Sequence, residues 1–161
     1  MVHDEHSLQE RAAALAERLL AESARVAIVE SCTGGLLAKV LTDVPGASRW
    51  FERGLVVYSN AAKQNLLGIT EDLLNRHGAV SEPVAKALAT GLLASAPVDY
   101  AVAITGVAGP GGGSAEKPVG TVWIAWAGAD RVAAKRLQLS GDRNNIRINS
   151  AAAAIDALHG V

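Results

Sequence analysis

The chain has a single cysteine, Cys32, in 161 residues, which excludes an internal disulfide framework and a cysteine-based metal cluster. That fits a reducing compartment. Its four histidines, His3, His6, His77 and His159, stand at no metal-ligand spacing and read as solvated surface residues. Charge of one sign is scarce too. A formal net charge of -1, with 19% charged residues, gives the molecule no pull toward nucleic acid or an anionic membrane. Any phosphate recognition must therefore rest on local sites. No apolar run reaches spanning length without Gly, Pro or charge, and residues 1–10 lack the apolar centre of a signal peptide. These absences predict a soluble cytoplasmic protein, and no cofactor is expected.

What is present is a chain of 50% hydrophobic content, long enough for one core and too short for two comfortable domains. Residues 1–161 read as a single domain, with 1–6 as a disordered tail. Leu8, Ala12, Leu15, Ala16 and Leu19 recur at helical spacing, predicting a helix over 7–22 with Ser7 as N-cap and Glu10 as its capping-box partner. A β-branched strand over 26–29 follows, then a helix over 34–42 closed by Pro45 and Gly46. Leu55, Val56, Val57 and Tyr58 in a row suit a strand over 54–59 covered on both faces, and 60–67 is a short helix. Thr70 starts another helix, with Glu71 and Asp72 in its first turn, and Gly78 stops it.

Ser81, Glu82 and Pro83 open a helix that runs toward 95, and 100–104 is a buried strand. Residues 106–118, with five glycines and two prolines, form a large loop. Segments 120–126 and 132–139 pair as an antiparallel hairpin, and an alanine-rich helix over 142–158 closes the chain. This order predicts an α/β fold, a three-layer α/β/α sandwich on a mixed, mostly parallel sheet. Two strands, ending near Val29 and Ile104, run into glycine-containing loops, and open α/β sheets bind ligands at strand C-termini.

The chemistry concentrates there. Ser31-Cys32-Thr33-Gly34-Gly35 reads as a strand ending in a tight turn that opens a helix, able to present a hydroxyl with free amides around it. An ordinary phosphate-binding turn has the same geometry, and Ser31 as a helix cap explains the serine equally well. A serine nucleophile needs a base, and no histidine occupies a convincing motif. Lys63, five residues after Tyr58, is the alternative, since burial would favour its neutral amine. By spacing alone, however, Lys63 is a solvated charge and Tyr58 an amphipathic core residue. Cys32 reads as a small buried residue.

The glycine-rich run from Thr105 and Gly106 through Gly109 offers a backbone cradle for phosphate or carboxamide. Arg143 and Arg147 place two guanidinium groups on one helix face, a phosphate clamp unless Asp142 pairs with them. Trp50, Trp123 and Trp126 are read as core or interface residues.

Seven blocks then occur in the order seen in a known family. They are Glu30 to Gly35, Trp50 to Gly54, Tyr58 to Lys63, Gly78 to Pro83, Thr105 to Pro110, Lys117 to Val122 and Gly141 to Arg143. Across roughly 7–158 the chain resembles the CinA C-terminal-domain family. The resemblance implies a mixed-sheet α/β/α homo-oligomer that deamidates nicotinamide mononucleotide without a metal, in pyridine nucleotide salvage. Its implied catalytic set is Ser31 as nucleophile with Tyr58 and Lys63 as activating partners. Thr105 and Arg143 match pocket positions, and Arg147 matches more loosely. The backbone of Thr33, Gly34 and Gly35 is expected to hold the oxyanion. Longer members carry a further N-terminal domain resembling molybdopterin-binding proteins, whose activity is not expected here. A nucleotide-binding regulatory module of the same fold is the alternative, sharing the glycine turns and arginines but having no chemical use for the serine, tyrosine and lysine set.

Overall fold

A computed structural model describes residues 4–160. In chain order the main elements are α1 (Glu5–Ala21), β1 (Val26–Glu30), α2 (Leu36–Thr42), β2 (Phe51–Val56), α3 (Asn60–Leu67) and α4 (Glu71–His77). Then come α5 (Glu82–Ser95), β3 (Tyr100–Gly106), β4 (Thr121–Gly128), β5 (Arg131–Gln138) and α6 (Arg143–His159). The sheet order is β2-β1-β3-β4-β5. Strands β2, β1 and β3 run parallel, and β4 is antiparallel to both β3 and β5, so the sheet is mixed, as expected.

Alternation along the strands separates two cores. Val26 and Ile28 of β1, with Val102 and Ile104 of β3, face α1, α2 and α6 through Leu15, Leu37, Leu41 and Ile155. Ala27 and Val29, with Ala101, Ala103 and Ala125, face α5 through Val84, Leu88 and Leu92. Small residues on this second face let α5 lie close to the sheet. All five β1 residues are buried, as a strand covered on both faces requires.

Three expectations about elements need correction. The first helix is capped by Asp4, whose Oδ1 accepts the Ser7 N–H at 2.8 Å, rather than by Ser7. Of the expected tail, residues 4–6 belong to this cap and first turn, and 1–3 lie outside the described residues. Second, α2 begins at Leu36 because Gly34 and Gly35 adopt left-handed backbone (φ 58° and 97°), a conformation that interrupts a helix and that glycine accepts readily. Third, β2 begins at Phe51 and ends at Val56, three residues earlier than the apolar run suggested, and it is a half-exposed edge strand. The Val26 N–H donates to the Trp50 carbonyl at its start, and the pairing with β1 then shifts by one residue, so that Ala27 lies opposite Arg53. Gly54 lies inside the strand, where an added Cβ would meet Ala38 Cβ at 3.2 Å, so its small size lets α2 sit against the sheet.

The strand order creates the crevice. From β1 the chain crosses through α2 to β2 on one side, whereas β3 leads to β4 on the other. The loops leaving the C-terminal ends of β1 and β3 therefore diverge, opening a gap between them.

Candidate active site

Ser31 directly follows β1, and its N–H donates to the Ile104 carbonyl at 3.1 Å, which fixes it between the two diverging strands. The Ser31 side lies in a cleft of about 200 Å³, lined also by Cys32, Tyr58, Lys63, Thr105, Gly106 and Arg143. Sequence reasoning missed Asn60, Ala79 and Val80 in the same lining, which Ala108 enters from within the glycine-rich run. Asn60 is the first residue of α3, just after the Ser59 cap, and its place inside the Tyr58 to Lys63 block is the signal that could have found it. Ala79 and Val80 are brought in by Thr105, whose hydroxyl donates to the Ala79 carbonyl at 2.9 Å.

Lys63 is 1% exposed. Helix α3 starts at the Ser59 cap and directs this side chain inward, so the amine reaches back over the exit of β2. Its Nζ lies 3.3 Å from Ser31 Oγ and donates to the Val57 carbonyl at 2.9 Å and the Tyr58 carbonyl at 3.2 Å. Burial holds its pKa below the ordinary 10.5, opposed by the neighbouring Cys32. None of these partners is a carboxylate. Two carbonyls use two N–H bonds, so a neutral amine has one lone pair left for the serine hydroxyl. Cys32 is pushed up to about 11, first by burial and further by Glu30, against its own backbone N–H, Arg143 and Arg147. Its thiol is therefore protonated at neutral pH and is not a competing nucleophile.

Tyr58 departs from the expectation. It lies in the loop after β2, not in a strand, and its carbonyl rather than its hydroxyl meets Lys63. The side chain is 59% exposed at the cleft mouth. Its hydroxyl accepts from Arg143 Nη2 at 3.1 Å, while Arg143 Nη1 donates to the Gly109 carbonyl at 2.7 Å. Arg143 thus ties the glycine-rich loop to Tyr58, with donors remaining for an anion. Asp142 does not pair with it; its Oδ1 caps α6 on the Asn145 N–H at 2.8 Å.

Thr33, Gly34, Gly35, Gly109 and Arg147 are not in the cleft lining. Arg147 instead supports the serine turn from behind, donating from Nη2 to the Thr33 carbonyl at 2.7 Å. The Gly34 N–H donates to the Ser31 carbonyl at 3.1 Å. That of Gly35 is taken by the buried Glu30 carboxylate at 3.1 Å. Two of the three expected oxyanion donors are therefore occupied, because hydrogen bonds within the turn use them.

Among the described residues no group of three or more His, Cys, Asp or Glu side chains is arranged to hold a metal ion. Among them, too, no helix is long and apolar enough to cross a membrane.

A family model for the CinA C-terminal domain matches residues 8–161. The chain is 51% identical over 148 residues to nicotinamide-nucleotide amidohydrolase PncC of Enterobacter agglomerans, covering 91% of this chain and 90% of that protein. It is 52% identical over 143 residues to the protein of the same name from Escherichia coli strain K12, covering 88% and 87%. The solved structure of competence/damage inducible protein CihA from Agrobacterium tumefaciens superposes with a TM-score of 0.94 at 36% identity, over 99% of this chain and 97% of that one. Sequence match and backbone agree over nearly the whole length, and the chain belongs to the CinA C-terminal domain family.

Proposed function

We propose that this protein hydrolyses the carboxamide of nicotinamide mononucleotide to nicotinic acid mononucleotide and ammonia, with Ser31 as nucleophile and Lys63 as its base. The observation that carries this reading is the buried Lys63 amine, 3.3 Å from Ser31 Oγ and with no carboxylate partner among the described residues. The names of the relatives at about half identity support the substrate and the reaction.

Neutral Lys63 takes the Ser31 proton as Oγ bonds to the carboxamide carbon, and the carbonyl π electrons move onto oxygen. The protonated lysine then delivers that proton to the amide nitrogen. Collapse of the tetrahedral intermediate breaks the C–N bond, releasing ammonia and leaving an acyl ester on Ser31. Water, losing a proton to Lys63, attacks the ester. The second collapse frees the acid and returns the proton to Ser31. Arg143 receives the phosphate, held in orientation by Tyr58 and the Gly109 carbonyl, and this remote binding aligns the carboxamide. Tyr58 assists by holding Arg143 at the cleft mouth.

Purified protein supplied with nicotinamide mononucleotide should yield ammonia and the acid in equal amounts. Saturable nucleotide binding with no ammonia release would instead identify a binding module.

A further inference from the structure

The start of α2 looks like an anion cradle, yet the chain fills it with its own carboxylate. Glu30, 1% exposed, accepts the Gly35 and Leu37 N–H groups on Oε2, both at 3.1 Å, and the Ala38 N–H on Oε1 at 2.8 Å. The Ser31, Gly34 and Leu36 amides donate to the carbonyls of Ile104, Ser31 and Thr33. Of the amides from 31 to 38, those of Cys32 and Thr33 have no acceptor from another residue among the described residues.

We infer that Glu30 is a positioning residue for acyl transfer, an inference that rests on the amidohydrolase reading above. Its carboxylate locks the helix start so that the amide following the nucleophile, that of Cys32, together with that of Thr33, is left for the oxyanion. In strand–turn–helix hydrolases the residue after the nucleophile supplies such a donor.

The same residue reaches the base through its backbone. Its carbonyl accepts the Val57 N–H at 2.9 Å, and the Val57 carbonyl accepts Lys63 Nζ at 2.9 Å. The side chain therefore sets the nucleophile's turn and the main chain sets the perch of the amine. A side-chain substitution separates the two.

Glu30→Gln keeps the shape but puts an NH2 where an acceptor is needed. The expected result is a fall in kcat of about 100-fold, the scale of a displaced oxyanion donor or a misaligned nucleophile, with KM within about threefold of the unaltered protein. The acid limb of the pH profile, set by Lys63, should stay in place. A merely structural cap would lower thermal stability and leave kcat per folded molecule unchanged. That result, or a loss confined to KM, would overturn the inference. If the unaltered protein releases no ammonia from the nucleotide, the amidohydrolase reading itself fails, and this inference with it.

Should the Gln variant not fold, amide hydrogen exchange on the unaltered protein decides. Pyridine-3-boronic acid forms a tetrahedral adduct on a reactive serine and is the probe. The adduct should slow exchange at Cys32 and Thr33 while leaving Gly35, Leu37 and Ala38 as they were. Slowing at Gly35 instead would contradict the assignment, and absence of an adduct would overturn the serine reading.

Discussion

Lys63 Nζ and Ser31 Oγ lie 3.3 Å apart although 32 residues separate them in the chain. The contact depends on two strand exits, those of β1 and β2, meeting beside the first turn of α3, which turns Lys63 inward. A lysine in that position differs from a surface lysine because burial disfavours its charge and two neutral carbonyls orient it.

Replacing Lys63 tests its role as a base. Lys63→Met should reduce kcat/KM by about 10² to 10⁴-fold, the usual contribution of a positioned general base. Lys63→Arg should do no better, because a guanidinium stays protonated. Steady-state ammonia release measures both, and retention of more than about a third of the activity by either would contradict the role.

The direction of the Lys63 shift fixes two pH dependences. Activity requires the neutral amine, so kcat/KM should rise with pH through an acid limb lying below the ordinary lysine value of 10.5. Stability carries the same sign. Between the folded pKa and 10.5 the unfolded chain binds more protons than the folded one, so burial of Lys63 costs stability at low pH and that cost disappears as pH rises through this window. The difference in Tm between the unaltered protein and Lys63→Met should therefore shift in favour of the unaltered protein as pH increases. A difference that is flat across the window would contradict a shifted lysine.

Arg143 should act on binding more than on chemistry. Arg143→Lys cannot span from the Gly109 carbonyl to the Tyr58 hydroxyl and loses the planar fork for phosphate. KM for the nucleotide should rise about 10-fold or more, matching the loss of a charge-assisted hydrogen bond, with kcat within about threefold. Tyr58→Phe, which removes the acceptor alone, should show a smaller rise of the same kind. A variant of either residue that lost kcat at constant KM would place it in the chemistry instead.

The base of the glycine-rich loop offers a stability test away from the reacting atoms. Gly120 has φ 89°, and an added Cβ would fall 1.8 Å from the Leu139 carbonyl oxygen, so the backbone must move. Its N–H donates to the Val107 carbonyl and its own carbonyl accepts from Leu139, which closes the loop on β5. Gly120→Ala should lower the unfolding free energy by about 3 kcal/mol or more, read by denaturant titration. A loss under about 1 kcal/mol would mean that the loop base is not packed as described.

Much of this arrangement is legible in the residues. The helix over 60–67, the Thr70 and Ser81 starts, the hairpin and the last helix follow from caps, proline, glycine and period, all local signals. Ser31 and the glycine turn stand out for the same reason. Local signals mislead where tertiary packing decides. The apolar run at 54–59 suggests a strand covered on both faces, yet β2 is a half-exposed strand at the sheet edge and the chain leaves it after Val56. The same run puts Tyr58 in a strand, whereas it lies in the loop after β2 and still reaches the cleft. By spacing Lys63 looks solvated; only the strand order shows that its helix begins over a crevice. Glu30 was missed as a functional candidate because an acidic residue ending a buried strand shows its purpose only when the three amides it accepts are known. The bond to Gly35, with that of the Gly34 N–H to the Ser31 carbonyl, keeps both amides within the turn and away from the cleft.

Ammonia release from nicotinamide mononucleotide by the unaltered protein and by Ser31→Ala, at matched folded concentration, tests the central claim most directly. The unaltered protein should turn the nucleotide over, and the alanine variant should still bind it while releasing no ammonia above background. Undiminished release by Ser31→Ala would show that the hydroxyl beside Lys63 is not the nucleophile.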